Sequence, residues 1–335
     1  MSKLESPNRR SRRTSAVLMG CVFYALAGVG EARESAPSPS ARAAATVAPV
    51  ATITPTPATV PEKKGEMDFR LGSAPEGKST SPITDDWLKT IVSIEVDSGK
   101  EPPTPVGTGF LLQTERNHVI LVTSKHVIAN DEGRLISNLV YRFNNSERGS
   151  EIIKEEDFDS RTANWFLSEK ADIACRFISW KGDFDIKSIP LKMVLRQQYV
   201  RPGAPLVVFG FPMGLRSESH PTAIARKGSV ARSDADGLLL EAFIFPGSSG
   251  GPVFYLPTVS VDDVAIKSPF LNSPRLVGVV SSFIPYTDIA WSSQTKRPRI
   301  TFEENSGLSN AAPADAIIDL IKRRDVNEAD IALGK

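Results

Sequence analysis

Cysteine, histidine and net charge are all scarce in this chain of 335 residues, at two, three and +1. Each scarcity excludes something. Cys21 lies in an N-terminal apolar run, so export processing would leave Cys175 alone and an intramolecular disulfide impossible. The fold must then rest on a core large enough to do without staples. A charge near zero exerts no broad pull on nucleic acid, which is not an expected partner. Cutting after Ala27 or Ala32 moves the balance only to −3 or −2.

Long apolar runs are missing too. The stretch 16–30, "AVLMGCVFYALAGVG", has fifteen residues, whereas a membrane span needs about 20. Behind the basic "MSKLESPNRRSRR" it suits the h-region of a signal peptide, with Ala25-Leu26-Ala27 or Gly30-Glu31-Ala32 as the cleavage site. Residues 1–32 therefore read as a signal peptide or an uncleaved N-terminal anchor. Arg12-Arg13 ahead of the run also fits a twin-arginine signal. The expected location is exported, periplasmic or extracellular, with membrane contact only if this segment is retained.

Residues 33–82 lack the means to build a core: between 34 and 82 there are eight prolines and one aromatic, Phe69. This is the composition of an extended linker. The globular part is then 83–335. Its short apolar runs fall at 89–96, 106–113, 117–124, 138–143, 172–178, 204–211, 222–232, 237–245, 251–256 and 275–283, separated by turn residues. Strands so spaced, with few helices between them, point to an all-β architecture. Their number suggests two antiparallel barrels, an N-barrel of about 83–190 and a C-barrel of about 191–310. One helix follows at about 313–324, with Ala316, Ile317, Leu320 and Ile321 on one face. The remaining "DVNEADIALGK" reads as a tail.

Chemistry centres on "LLLEAFIFPGSSGGPVFYLP" at 238–257. A flexible spacer would not sit between two strand-like apolar runs, so the glycines mark a turn needing positive φ or close backbone approach. That turn is either structural or carries a reactive serine. A serine hydroxyl needs a base, and the histidines are only His118, His126 and His220. His118 reads as an exposed turn residue and His220 as a loop residue. His126 follows the apolar strand in "VILVTSKHVIAN". Asp172, in "SEKADIACRFI", leads into an apolar strand, where an unpartnered carboxylate would be costly.

Together these stretches resemble the trypsin/chymotrypsin-like serine peptidases, and among them the bacterial Deg-like proteases. "TSKHVI" resembles their histidine turn, "ADIACRF" the aspartate strand, and "PGSSGGPV" the G-x-S-G-G-P nucleophile loop. "VGTGFLL", "VFGFPMG", "RLVGVVSS" and "NAAPADAIIDLI" match further segments in order, over about 106–322. The His–Asp–Ser order is also that of this family. The resemblance implies Ser249 as nucleophile, His126 as general base and Asp172 as its orienting acid, with the backbone N–H groups of Gly247 and Ser249 as oxyanion hole. It implies a peptide or protein substrate and no cofactor or metal. Ser248 stands where many relatives carry an aspartate, so an N-terminal activation switch is absent. The specificity pocket is expected from Phe243, Ile244, Ser281, Ser282 and Phe283, shallow and apolar. Too little chain follows the helix for a PDZ domain. A silent peptide-binding module on the same scaffold, and a protease that cuts only its own linker, are the competing readings.

Overall fold

A computed structural model describes residues 83–99, 102–147, 149–179, 184–216, 222–256, 261–262, 265–266 and 274–334. The expected export segment and linker, and His220, lie outside the described residues.

The strands are β1 (Ile91–Val96), β2 (Thr104–Gln113), β3 (Val119–Thr123), β4 (Leu139–Asn145), β5 (Gly149–Lys154), β6 (Phe166–Leu167), β7 (Ala174–Phe177) and β8 (Ile189–Pro190) in the N-terminal half. Then come β9 (Pro205–Gly210), β10 (Ile224–Asp234), β11 (Gly237–Glu241), β12 (Pro252–Tyr255), the short pair β13 (Val261–Asp262) and β14 (Ala265–Ile266), β15 (Arg275–Trp291) and β16 (Pro298–Pro313). Helices α1 (Asp85–Leu88) and α2 (Lys125–Ile128) are single turns, and α3 (Asp315–Lys322) and α4 (Arg324–Leu333) close the chain.

The first sheet runs β5-β4-β1-β2-β3-β7-β6, with β8 added parallel to β2. The second is a closed barrel, β10-β11-β16-β15-β12-β9, antiparallel throughout. This is the all-β, chymotrypsin-like two-barrel architecture with helices at the C-terminus. Alternation along each strand sends one row of side chains to each barrel interior. Val92, Leu121, Tyr141 and Phe143 fill the first, and Leu206, Val230, Leu240 and Val277 the second. A third cluster seals the barrels together: Phe110, Ile120 and Cys175 meet Phe209, Phe254 and the α3 residues Ile317 and Leu320. Each such side chain, fully buried, contributes about 1.5–3 kcal/mol.

Three expectations need correction. The strand expected at 237–245 stops at Glu241, the last β11 residue paired with β16. The strand expected at 275–283 runs on to Trp291 and returns as β16, which the sequence reading missed. "PRITFEENSGLSNAAP" is poor in strand formers and is extended because β15 pairs with its whole length and β11 with 308–311. The "tail" is helix α4. Arg323 breaks the helix at ψ 141°. Its guanidinium grips Asp325 through two hydrogen bonds of 2.7 and 2.8 Å and donates to the Leu167 carbonyl. Asp325 then sits in the first turn of α4, where a negative charge is favoured, and Val326 is fully buried.

Candidate active site

His126 and Asp172 are brought together by strand register. β3 and β7 are antiparallel neighbours with Thr123 opposite Ala174, so the residues just beyond, at the turn into α2 and the approach to β7, face each other. His126 Nδ1 lies 2.7 Å from Asp172 Oδ2, and the His126 backbone N–H donates to Oδ1 at 3.1 Å. A ring whose Nδ1–H donates to a carboxylate keeps Nε2 as the acceptor in its neutral form. A third donor reaches the same carboxylate, the Ser281 hydroxyl. Burial alone would push the Asp172 carboxyl up. The hydrogen bond and charge of His126 and the Ser281 hydroxyl outweigh it, holding the acid below its ordinary value.

Ser249 sits in a turn that only glycine permits. Gly247 and Gly250 have φ of +92° and +84°. A Cβ on Gly250 would fall 2.1 Å from both the Thr108 carbonyl and Thr123 Oγ1, and one on Gly247 would fall 2.3 Å from the Phe211 carbonyl. The turn is pinned to the other barrel by Thr108, a fully buried residue of β2. Its N–H donates to the Ser249 carbonyl at 2.8 Å, and its hydroxyl donates to the Gly247 carbonyl at 2.7 Å. Thr108 Oγ1 also accepts from the Phe211 N–H. Sequence reading took Thr108 only as part of a strand motif; a hydroxyl flanked by glycines just ahead of the histidine strand was the available signal.

Two N–H groups of this turn make no hydrogen bond among the described residues. The Pro246 carbonyl accepts from the Met213 N–H at 2.6 Å. In a trans peptide the N–H points opposite to the carbonyl, so the Gly247 N–H faces away from Met213. Among the described residues neither it nor the Ser249 N–H has an acceptor. The Ser249 hydroxyl donates to the Ser281 carbonyl at 3.2 Å, and no hydrogen bond joins it to His126 among the described residues. Such a bond is often long before substrate is present.

The other expected residues are placed as follows. Ser248 is buried and its hydroxyl has no partner among the described residues. Ile244 packs in the core of the second barrel, Phe283 is half-buried against that core, and Phe243 lies on the surface with its ring near Gly307. The Ser282 hydroxyl accepts from the Asn310 amide. Ser281, also expected in the pocket, gives its hydroxyl to Asp172 while its carbonyl accepts from the Ser249 hydroxyl. His118 is not an exposed turn residue: its Nδ1 lies 2.7 Å from buried Asp330 of α4. Among the described residues no three His, Cys, Asp or Glu side chains gather as a metal site would.

Two solved structures of the HtrA-type protease AlgW with a tripeptide, one of them a variant, are similar to this chain at 14% identity, with TM-scores of 0.42 and 0.41. They cover 73% and 72% of this chain, which spans 62% of theirs. No curated protein matches. Residues 107–257 match the family model described as a trypsin-like peptidase domain, a segment that includes His126, Asp172 and Ser249. Over that segment the chain is similar to the trypsin-like peptidases.

Proposed function

We propose that this protein is an exported serine endopeptidase that hydrolyses peptide bonds through an acyl-enzyme. The observation that carries the proposal is the 2.7 Å contact of His126 Nδ1 with Asp172, set beside a serine whose turn leaves two N–H groups without an acceptor among the described residues. Ser249 Oγ turns from the Ser281 carbonyl toward His126 Nε2 and attacks the scissile carbonyl. His126 takes its proton and later gives it to the leaving amine. Asp172 holds the ring tautomer and stabilises the imidazolium without itself becoming protonated. The Gly247 and Ser249 N–H groups meet the developing oxyanion, a contribution of about 3–4 kcal/mol per donor in comparable sites. The export signal rests on residues 1–32 and the spacer on 33–82.

The test is cleavage of unfolded β-casein, read by mass spectrometry. Fragments formed by the wild type and absent with Ser249→Ala support the reading. A second reading, a silent peptide-binding scaffold, is favoured by the Ser249 hydroxyl bonding to the Ser281 carbonyl rather than to His126. It takes over if folded protein binds casein without cutting it.

A further inference from the structure

The serine turn leans on a loop that is tied at both ends to the first sheet. β1 and β2 pair with Ser93 opposite Thr108 and Glu95 opposite Pro105. Opposite residues share a face, so these four form one patch. The loop that follows β9, residues 211–216, lies along it. The Phe211 N–H donates to Thr108 Oγ1 at 3.1 Å, and a Cβ on Gly214 would meet Pro105 Cγ at 3.0 Å. At the far end Arg216 Nη1 stands 3.3 Å from Glu95 Oε1.

Between these ties the backbone bends sharply. Met213 and Gly214 have φ of +55° and +70°, a conformation that methionine seldom adopts. Such a bend persists only where its surroundings hold it. The Met213 side chain is 62% exposed, so packing does not supply the hold. Hydrogen bonds do, from the Gly214 N–H to the Phe211 carbonyl at 2.9 Å and from the Leu215 N–H to the Pro212 carbonyl at 3.0 Å. The bend aims the Met213 N–H at the Pro246 carbonyl, 2.6 Å away. The Gly247 N–H is on the opposite side of that same peptide, so its direction follows Met213.

Glu95 makes a firm anchor. Its carboxylate is fully buried, and a buried charge needs partners. Among the described residues it has three. Arg142 of β4 donates to both oxygens, at 2.9 and 3.0 Å, and the Ser93 hydroxyl donates at 2.9 Å. These two belong to the sheet and already serve the whole carboxylate. Arg216 is the partner that the loop brings, and what it adds is a tie between loop and sheet.

We propose that Arg216 is a positioning residue for the oxyanion hole. Its ion pair with Glu95 fixes the end of the 211–216 loop, Met213 in turn fixes the Pro246–Gly247 peptide, and the Gly247 N–H is kept at the angle that meets the developing charge. The proposal rests on the serine peptidase reading and adds to it a residue that touches no reacting atom.

Arg216→Met keeps the apolar stem and drops the charge, while Glu95 retains Arg142 and Ser93, so the fold survives. In the full chain, the second-order rate of fluorophosphonate labelling at Ser249 should fall about tenfold, short of the roughly 10²–10³-fold lost with a whole oxyanion donor. Turnover of fluorescein-labelled β-casein should fall with it while KM holds, the pattern of an interaction made only in the transition state. Arg216→Lys should recover most of the labelling rate. Arg142→Met is the control: it strips more hydrogen bonds from Glu95 but no contact of the loop, so it should lower the melting temperature and leave the labelling rate at the wild-type value. Undiminished labelling in Arg216→Met, beside a labelled wild type, overturns the proposal and leaves the peptidase reading standing. Equal losses in Arg216→Met and Arg142→Met also overturn it, because the effect then comes from the barrel and not from the loop. A change confined to KM does the same. A folded wild type that takes no label overturns the peptidase reading and the proposal together.

Discussion

His118 Nδ1 sits 2.7 Å from Asp330 Oδ1, the same spacing that joins His126 to Asp172. The two pairs do different work. His118 belongs to the β2–β3 turn and Asp330 to α4, where the carboxylate is 1% exposed and is also reached by Arg116 at 3.2 Å and by the Thr114 hydroxyl. The pair clamps the last helix to the first sheet, while the other stands beside Ser249.

Removing Asp330 tests that division. Asp330→Ala leaves three donors without their acceptor, two of which can turn to water, so the expected loss is about 1–3 kcal/mol. At roughly 2–4 °C per kcal/mol for a domain of this size, thermal unfolding detects it. Labelling at Ser249 below the transition should be unchanged, and an equal loss of labelling would refute the division.

Asp172→Asn should keep the fold and lower turnover by about four orders of magnitude, because the ring loses the acceptor that sets its tautomer. Its acid response is also specific. The folded-state carboxyl lies below the ordinary value, so its contribution to stability is present above the unfolded pKa of about 3.9 and is lost as pH falls through the lower folded value. Acid unfolding below about pH 4 should therefore be shallower in Asp172→Asn than in the wild type.

Thr108→Val removes a hydroxyl that serves the Gly247 carbonyl and the Phe211 N–H, while the shape is nearly kept. Two buried groups then lack partners, at about 1–3 kcal/mol each. Turnover should fall by more than substrate affinity, since Thr108 holds the turn and lies fully buried. A change confined to KM would contradict this.

Cys175 is fully buried, and burial pushes its thiol up to about 12. In a Cys21→Ser background, native protein at pH 8 should not react with Ellman's reagent, and one equivalent should react in guanidinium. Rapid native labelling would show that the seam between the barrels opens.

Some of this was legible in the sequence and some was not. Asp172, a lone acid entering an apolar strand, and His126, a histidine leaving one, were candidates on their own residues, and only the resemblance of the motifs around them made them a pair. The glycines between apolar strands marked the turn, because they demand positive φ, and the resemblance of "PGSSGGPV" to the nucleophile loop singled out Ser249 within it. β16 did not, because its strand state comes from neighbours on both sides rather than from its own residues. Asp330 was missed for a related reason: its need for His118 and Arg116 appears only once α4 is laid against the β2–β3 turn. The bond of the Ser281 hydroxyl to Asp172 was not legible either, because that side chain could be placed only after β15 was paired with β16.

The most direct test of the account is fluorophosphonate labelling of the full chain beside Ser248→Ala and Ser249→Ala. Ser248 carries a buried hydroxyl with no partner among the described residues, so its removal should leave labelling intact and stability equal or slightly higher. Labelling of the wild type and Ser248→Ala, with none in Ser249→Ala, is the predicted result. A folded wild type that takes no label, or a Ser249→Ala protein that still takes it, would contradict the assignment of Ser249 as nucleophile.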